Sequence, residues 1–98
     1  MAATTYTRLG GNRTGTLVVV DTRRGSHRYV LEPKSPPGTE ITVKDGGGMA
    51  STNPITIVGV VDGSSLGYTI NVNGGSATFF KEGDTGWLLI SQAWMSSR

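Results

Sequence analysis

Catalytic residue types are sparse in this sequence, which contains a single histidine, His27. On paper, His27 could join Ser26 and either Asp21 or Asp45 in the serine, histidine and aspartate set of a hydrolase. Ser26 and His27 are adjacent, however, and adjacent side chains of a strand point to opposite faces. The pattern therefore does not place a nucleophile beside its base. We expect a solvated histidine and a protein that is not an enzyme.

Three aspartates close to glycine are the remaining candidates for ligand binding: Asp45 in DGGG, Asp62 in DGSS and Asp84 in GDTG. Carboxylates can bind calcium, but these three lack the repeated spacing of a known calcium loop. Aspartate beside glycine is more typical of turns in which the carboxylate accepts backbone N–H groups. The chain has no cysteine, which removes thiolate metal sites and disulfides. We predict capped turns and no cofactor.

The charge balance does not predict a nucleic-acid surface. Nine basic and seven acidic residues are spread along the chain and give a net charge of +2. The densest basic run, RRGSHR, contains Arg23, Arg24 and Arg28. We expect it to be solvated in a hairpin turn, where it could also meet an acidic patch on a partner protein. The longest apolar run, residues 17–20, is too short to span a membrane.

Short alternating segments separated by glycine and proline predict an all-β fold. The chain holds 15 glycines and 4 prolines, and no window carries apolar residues at helical spacing. We predict a small antiparallel β-sandwich or barrel with glycine-rich turns. RRGS and Asn73-Gly74-Gly75 would close hairpins, and residues 34–38 would form a proline-rich linker. The predicted strands cover residues 16–20, 27–32, 40–44, 54–61, 67–72, 76–80 and 87–91.

The two ends of the chain are predicted to make contacts outside the core. A single β domain, residues 14–98, follows an N-terminal arm, residues 1–13, whose polar, glycine-rich sequence suits ordering on a partner. The C-terminal tail either packs on its own core or docks on another chain, because tryptophan and methionine are enriched in interfaces. The interface candidates are Arg23, Arg24, Arg28, Trp94 and Met95.

More than half of the chain, residues 38–91, carries an ordered series of strand and turn motifs. The series runs from an isoleucine-containing strand ending in Lys-Asp, through a Gly-x-Ala turn and an Asn-Pro-Ile-Thr-Ile strand, to a closing strand with tryptophan. The residues of the series are Pro37-Gly38, Ile41, Val43, Lys44-Asp45, Gly48-Met49-Ala50, Asn53-Pro54-Ile55-Thr56-Ile57, Asp62-Gly63, Ile70-Asn71, Ser76 and Trp87. This segment resembles a β module found in tail fibres, tail spikes and other virion appendages of bacteriophages. Met49 stands where the pattern of that module often has a polar residue.

The resemblance implies a phage virion structural protein, made in the host cytoplasm and assembled as a homotrimer. Because 98 residues, taken as a complete chain, lack a long shaft, the leading expectation is a capsid decoration (cement) protein that binds the major capsid protein or other virion proteins. A short tail-fibre, spike or collar component is the first alternative.

A carbohydrate-binding β module is the second alternative, with Trp87, Tyr68 or Trp94 as the surface on which a glycan stacks. Aromatic side chains surrounded by apolar neighbours are more often core residues, and we expect Trp87 to be one.

Overall fold

Eight strands and one short 3₁₀ helix make up the regular structure of the described chain. The computed structural model describes residues 3–10, 13–83 and 86–93. Each of the seven predicted strands overlaps an observed one, which confirms the all-β prediction. The elements are β1 (Ala3–Gly10), β2 (Arg13–Val20), the 3₁₀ helix (Thr22–Arg24), β3 (His27–Val30), β4 (Glu40–Asp45), β5 (Ile55–Val58), β6 (Tyr68–Ile70), β7 (Ser76–Glu82) and β8 (Gly86–Ala93).

These strands form two mixed sheets rather than a closed barrel. The large sheet has the order β1-β2-β4-β7-β8, and the small sheet has the order β3-β5-β6. Strand β2 runs parallel to β4 and β3 runs parallel to β5, while the other pairs are antiparallel. The prediction of a purely antiparallel sheet, and its barrel alternative, are therefore wrong.

The parallel pairs arise because the chain changes sheets between consecutive strands. After β2 the chain leaves the large sheet to form β3, and it returns to form β4 beside β2. Parallel neighbours require such a crossover, since a tight hairpin can join only antiparallel strands. The predicted hairpins at RRGS and at Asn73 are accordingly wrong. Asn73 does lie in a turn, in which Gly75 N donates to Val72 O at 2.8 Å. That turn joins β6 of the small sheet to β7 of the large sheet, so the two flanking strands do not pair with each other.

The core lies between the two sheets, on the faces that alternation predicted. In β4, Ile41 and Val43 are buried while the intervening residues are less so. Tyr68 of the small sheet meets Phe79 of the large sheet edge to face, with ring centroids 5.9 Å apart. Each large apolar side chain buried in this way contributes about 1.5–3 kcal/mol. The buried apolar cluster comprises Val18, Val20, Leu31, Ile41, Val43, Ala50, Ile55, Ile57, Val61, Ile70, Ala77, Phe79 and Trp87.

The two edges of the large sheet differ in how they are closed. Strand β1 lies at one edge and pairs with β2 along its whole length, so residues 3–10 of the expected arm form a strand of the domain. At the other edge, Val61 from the loop between β5 and β6 forms a bridge with Trp87 of β8. Ile90 is left out of the β8 register and forms a bulge, a feature that blunts edge pairing. Within residues 3–10, 13–83 and 86–93, strand β1 is therefore the more open of the two edges.

Candidate functional site

The Asp45 carboxylate is the most highly connected polar group in the described structure. Asp45 is the last residue of β4, opposite Val20 of β2, and its side chain points inward at the end of the large sheet. The residue is only 2% exposed. Two loops, residues 46–54 and 71–75, and the 3₁₀ helix all converge on it.

Both carboxylate oxygens of Asp45 carry two hydrogen bonds. One oxygen, Oδ1, accepts from Thr22 Oγ1 at 2.5 Å and from Gly48 N at 2.9 Å. The other, Oδ2, accepts from Ala50 N at 3.0 Å and from Gly74 N at 2.9 Å. We call this carboxylate and its four donors the Asp45 clasp.

The electrostatics of the clasp favour the ionised carboxylate. Burial by itself would raise the pKa of Asp45, but the hydrogen bonds from Thr22, Gly74, Ala50 and Gly48 outweigh it, and the pKa lies below its ordinary value. A carboxylate offers about four acceptor positions, and four donors already occupy them. Asp45 is therefore a capping group whose two oxygens each accept two hydrogen bonds, and this agrees with the predicted capped turn.

A second layer of hydrogen bonds ties the clasp to its surroundings. The buried Thr22 hydroxyl donates to Asp45 and accepts from Met49 N at 2.9 Å. The carbonyl oxygen of Thr22 accepts from Asn53 Nδ2 at 2.7 Å. Lys44 Nζ donates to the Gly74 carbonyl oxygen. The clasp thus joins the 3₁₀ helix, the loop after β4 and the turn before β7, which are far apart in the sequence.

The small residues of DGGGMA are required by this geometry. A Cβ atom at position 47 would lie 2.6 Å from Thr22 N, and Gly48 has a φ of +77°, which disfavours any residue with a side chain. Ala50 is completely buried. Small residues at positions 47, 48 and 50 thus let the loop approach Thr22 and the Asp45 carboxylate closely.

The other residues considered for chemistry are not assembled into a site. Asp21 is engaged by Arg23, whose Nε and Nη2 donate to the two carboxylate oxygens at 2.8 and 3.0 Å. His27 is half-buried in β3 and Ser26 is exposed before it. Both carboxylates of the hypothetical hydrolase set, Asp21 and Asp45, are thus committed to other partners.

Of the two other aspartates considered as ligands, only Asp62 lies among the described residues. Asp62 is exposed, has a φ of +52° and accepts from Leu89 N at 3.1 Å, while Asp84 lies outside the described residues. Within residues 3–10, 13–83 and 86–93, no group of three or more His, Cys, Asp or Glu could hold a metal ion.

The basic interface candidates occupy two different elements. Arg23 and Arg24 lie exposed on the 3₁₀ helix, and both are close to Asp21, with Arg24 Nε 3.8 Å from its Oδ2. The side-chain hydrogen bond from Arg23 lowers the pKa of Asp21 below its ordinary value. Arg28 is exposed on β3. Part of the positive charge predicted for docking is therefore balanced within the chain.

Of the tail and aromatic candidates, only Trp87 and Tyr68 lie among the described residues. Trp94 and Met95 lie outside the described residues. Trp87 is 2% exposed, which confirms it as a core residue, and its Nε1 has no hydrogen-bond partner in the described part of the chain. Tyr68 packs its ring against Phe79, and its hydroxyl donates to Gln92. Trp87 therefore cannot serve as a surface for a stacked sugar.

Sequence reasoning missed a set of exposed apolar side chains. Leu66 stands out because it is 92% exposed in the turn before β6, and Ile90 is exposed at the bulge of β8. Nothing in the strand pattern distinguished them, although Met49 was visible as an apolar residue in a polar turn position. The exposed large apolar residues are Val30, Met49, Val60, Leu66 and Ile90.

Comparison with known proteins adds no relative. No protein-family model matches this chain, and no curated protein matches it significantly. No helix in the described residues is long and apolar enough to cross a membrane.

Proposed function

We propose that this chain is a bacteriophage virion structural protein, a capsid decoration protein that binds the major capsid protein. The observation that carries the proposal is that residues 38–91 resemble the phage appendage module at the positions that close the Asp45 clasp. Lys44, Asp45, Gly48 and Ala50 belong both to the shared pattern and to this network. Residues that hold separate loops together in this way are expected in a module whose role is to form a stable structural unit.

The dimensions of the domain suit decoration. Its principal extents are 35 × 31 × 28 Å, so the body is nearly as wide as it is long. A compact body of this kind can fill a depression between capsid subunits. A short tail-fibre, spike or collar component using the same module is the second candidate, because the resemblance applies equally to tail proteins.

The surface of the domain supports association through apolar contacts. Val30, Val60, Leu66 and Ile90 are exposed, and burying such apolar side chains against a partner would favour association. The open edge at β1 offers main-chain groups for pairing with another strand. A homotrimer on the capsid, using copies of these features around a three-fold axis, is the assembly that we propose.

A carbohydrate-binding module is less well supported. Of its three stacking candidates, Trp87 is buried and Tyr68 is packed against Phe79, which leaves Trp94. Glycan binding that disappears in Trp94→Ala would favour this alternative over decoration.

Copy number per particle tests the proposed function directly. Quantitative mass spectrometry of purified virions from the source of this sequence would compare this chain with the major capsid protein. A decoration protein is expected at a copy number comparable with that of the capsid protein. A copy number equal to a small multiple of the tail symmetry would favour the tail alternative, and absence from the virion would refute both.

A binding assay tests which surface is used. Purified chain would be added to capsids that lack it, and bound protein would be measured after sedimentation. Leu66→Ser should weaken binding without affecting the fold, because the side chain is almost fully exposed. Thr69→Ser, an exposed position on β6, is the matched control. Docking through Arg28 instead predicts binding that weakens as salt rises.

A further inference from the structure

The Asn73-Gly74 step is a chemically labile sequence that the function proposed above does not use. An asparagine side chain can react with the backbone nitrogen of the next residue, and glycine permits this most readily because it has no side chain to obstruct the approach. Asn73 is the asparagine that meets this condition. The others precede larger residues or proline: Asn12 before Arg13, Asn53 before Pro54 and Asn71 before Val72.

The reaction is a deamidation that needs only water. The backbone nitrogen of Gly74 gives up its proton and attacks Cγ of Asn73, forming an N–Cγ bond. The Cγ–Nδ2 bond breaks, and the side-chain nitrogen leaves as ammonia with the displaced proton, which produces a cyclic imide. Water then opens the imide at either carbonyl to give aspartate or isoaspartate. One water is consumed, one ammonia is released, and nothing is oxidised or reduced.

Both reacting groups are held by hydrogen bonds in the folded chain. The attacking atom, Gly74 N, is buried and donates its hydrogen to Asp45 Oδ2 at 2.9 Å. Removing that proton would leave a negative nitrogen beside a negative carboxylate, and like charges at this distance repel strongly. At the other reactant, the Asn73 Oδ1 atom accepts from Ser51 N at 2.9 Å. Attack therefore requires the Gly74 bond to the clasp to open and the Asn73 amide to be released.

We infer that Asn73 is a spontaneous deamidation site that the Asp45 clasp keeps latent. Conversion starts from molecules in which the clasp has opened locally, so its rate reports how often that opening occurs. The reaction is one-way. The isoaspartate product routes the main chain through the former side chain, lengthening the turn at position 73, and Gly74 N can no longer reach Asp45 in the same geometry.

The first test compares folded and unfolded chains at the same mildly alkaline pH. Peptide mass spectrometry would follow conversion of Asn73, with Asn71 as a slow internal reference and Asn53, which precedes proline, as a negative one. Since a hydrogen bond to a charged group is strong enough to change a population about tenfold or more, conversion in the folded chain should be at least tenfold slower than in urea. Equal rates in the two conditions would overturn the inference.

The second test separates local opening from global unfolding. Thr22→Val removes a hydroxyl from the clasp, whereas Ile57→Val destabilises the core of the small sheet without touching the clasp. The two variants would be compared at denaturant concentrations that give equal free energies of unfolding. Thr22→Val should convert Asn73 faster than Ile57→Val. Equal conversion at equal stability would show that overall stability alone protects the site, and would overturn the inference.

Hydrogen exchange of the Gly74 amide in the wild-type chain replaces the second test if Thr22→Val does not fold. In the wild-type chain the Gly74 amide should exchange at least tenfold more slowly than the same amide in the unfolded chain, because it is bonded to a buried carboxylate. Exchange at the unfolded rate would overturn the inference. The outcome does not depend on whether the chain decorates a capsid.

Discussion

Replacing Asp45 by asparagine is the sharpest test of the clasp, because the change preserves shape and removes one acceptor oxygen. Each carboxylate oxygen accepts from two donors. The amide nitrogen then faces either Ala50 N and Gly74 N, or Gly48 N and the Thr22 hydroxyl. Only the hydroxyl can turn to accept a hydrogen bond, so in either orientation the variant leaves at least one buried backbone N–H without its acceptor.

The expected cost follows from that count. A buried donor left without its partner costs about 1–3 kcal/mol, so Asp45→Asn should lower the free energy of unfolding by at least ~1–3 kcal/mol. A domain of this size has a total stability of about 5–15 kcal/mol. Each kcal/mol shifts the Tm of a small domain by about 4–8 °C, which gives a fall of ~4 °C or more.

Asp62→Asn is the matched control for this substitution. Asp62 is exposed and accepts one backbone bond, from Leu89 N, which an amide oxygen can also accept. Its φ of +52° is one that asparagine tolerates. We expect a change within ~0.5 kcal/mol. Urea unfolding followed by circular dichroism would measure both variants. An Asp45→Asn loss below ~1 kcal/mol would refute the reasoning, because the four donors would then have other partners.

Three further predictions concern pH, the core tryptophan and the glycines. Folding lowers the pKa of Asp45, so as the pH falls the carboxyl group is protonated in the unfolded chain before it is protonated in the folded chain. The contribution of ionised Asp45 to the free energy of unfolding is therefore present above about pH 4 and is lost at lower pH. Unfolding free energies measured across that range should fall less steeply in Asp45→Asn, and an unchanged slope would contradict this. Trp87→Ala should cost ~3–5 kcal/mol in urea unfolding. Trp87→Phe should cost less, because it keeps an aromatic ring and removes an Nε1 atom that has no hydrogen-bond partner among the described residues; an equal loss in the two variants would be inconsistent with this account. Gly67→Ala should lower the Tm more than Gly63→Ala. Both glycines have positive φ, but only at position 67 would the new Cβ atom clash with the backbone, 2.2 Å from the carbonyl oxygen of Ile57. Equal Tm values for the two variants would argue against the clash.

Some features of this protein could be read locally from the sequence. Strand positions followed from alternation, which also identified Ile41 and Val43 as inward-facing residues. The capping role of Asp45 followed from its position before a run of glycines, and Trp87 was recognised as a core residue from its apolar neighbours. Each of these inferences depends on residues close together in the chain, where period and turn chemistry restrict the conformation directly.

Other features could not be read in this way. The strand formed by residues 3–10 escaped prediction because its sequence is polar and its partner, β2, supplies the pairing. The hairpin signal at Asn73-Gly74 correctly predicted a turn but wrongly predicted that its flanking strands pair with each other. A turn reverses the chain, but the burial of both flanking strands decides which sheet each one joins.

The sequence by itself thus determined an all-β chain, its inward faces and its tight turns, because these follow from local spacing and backbone preference. The tertiary structure decided which strands became neighbours and which donors reached Asp45. Thr22 and Gly74 lie 23 and 29 residues from Asp45 in the chain, and no local sequence pattern predicts these long-range hydrogen bonds. The two sheets bring them together because only their packing buries both apolar faces while leaving the carboxylate fully hydrogen-bonded.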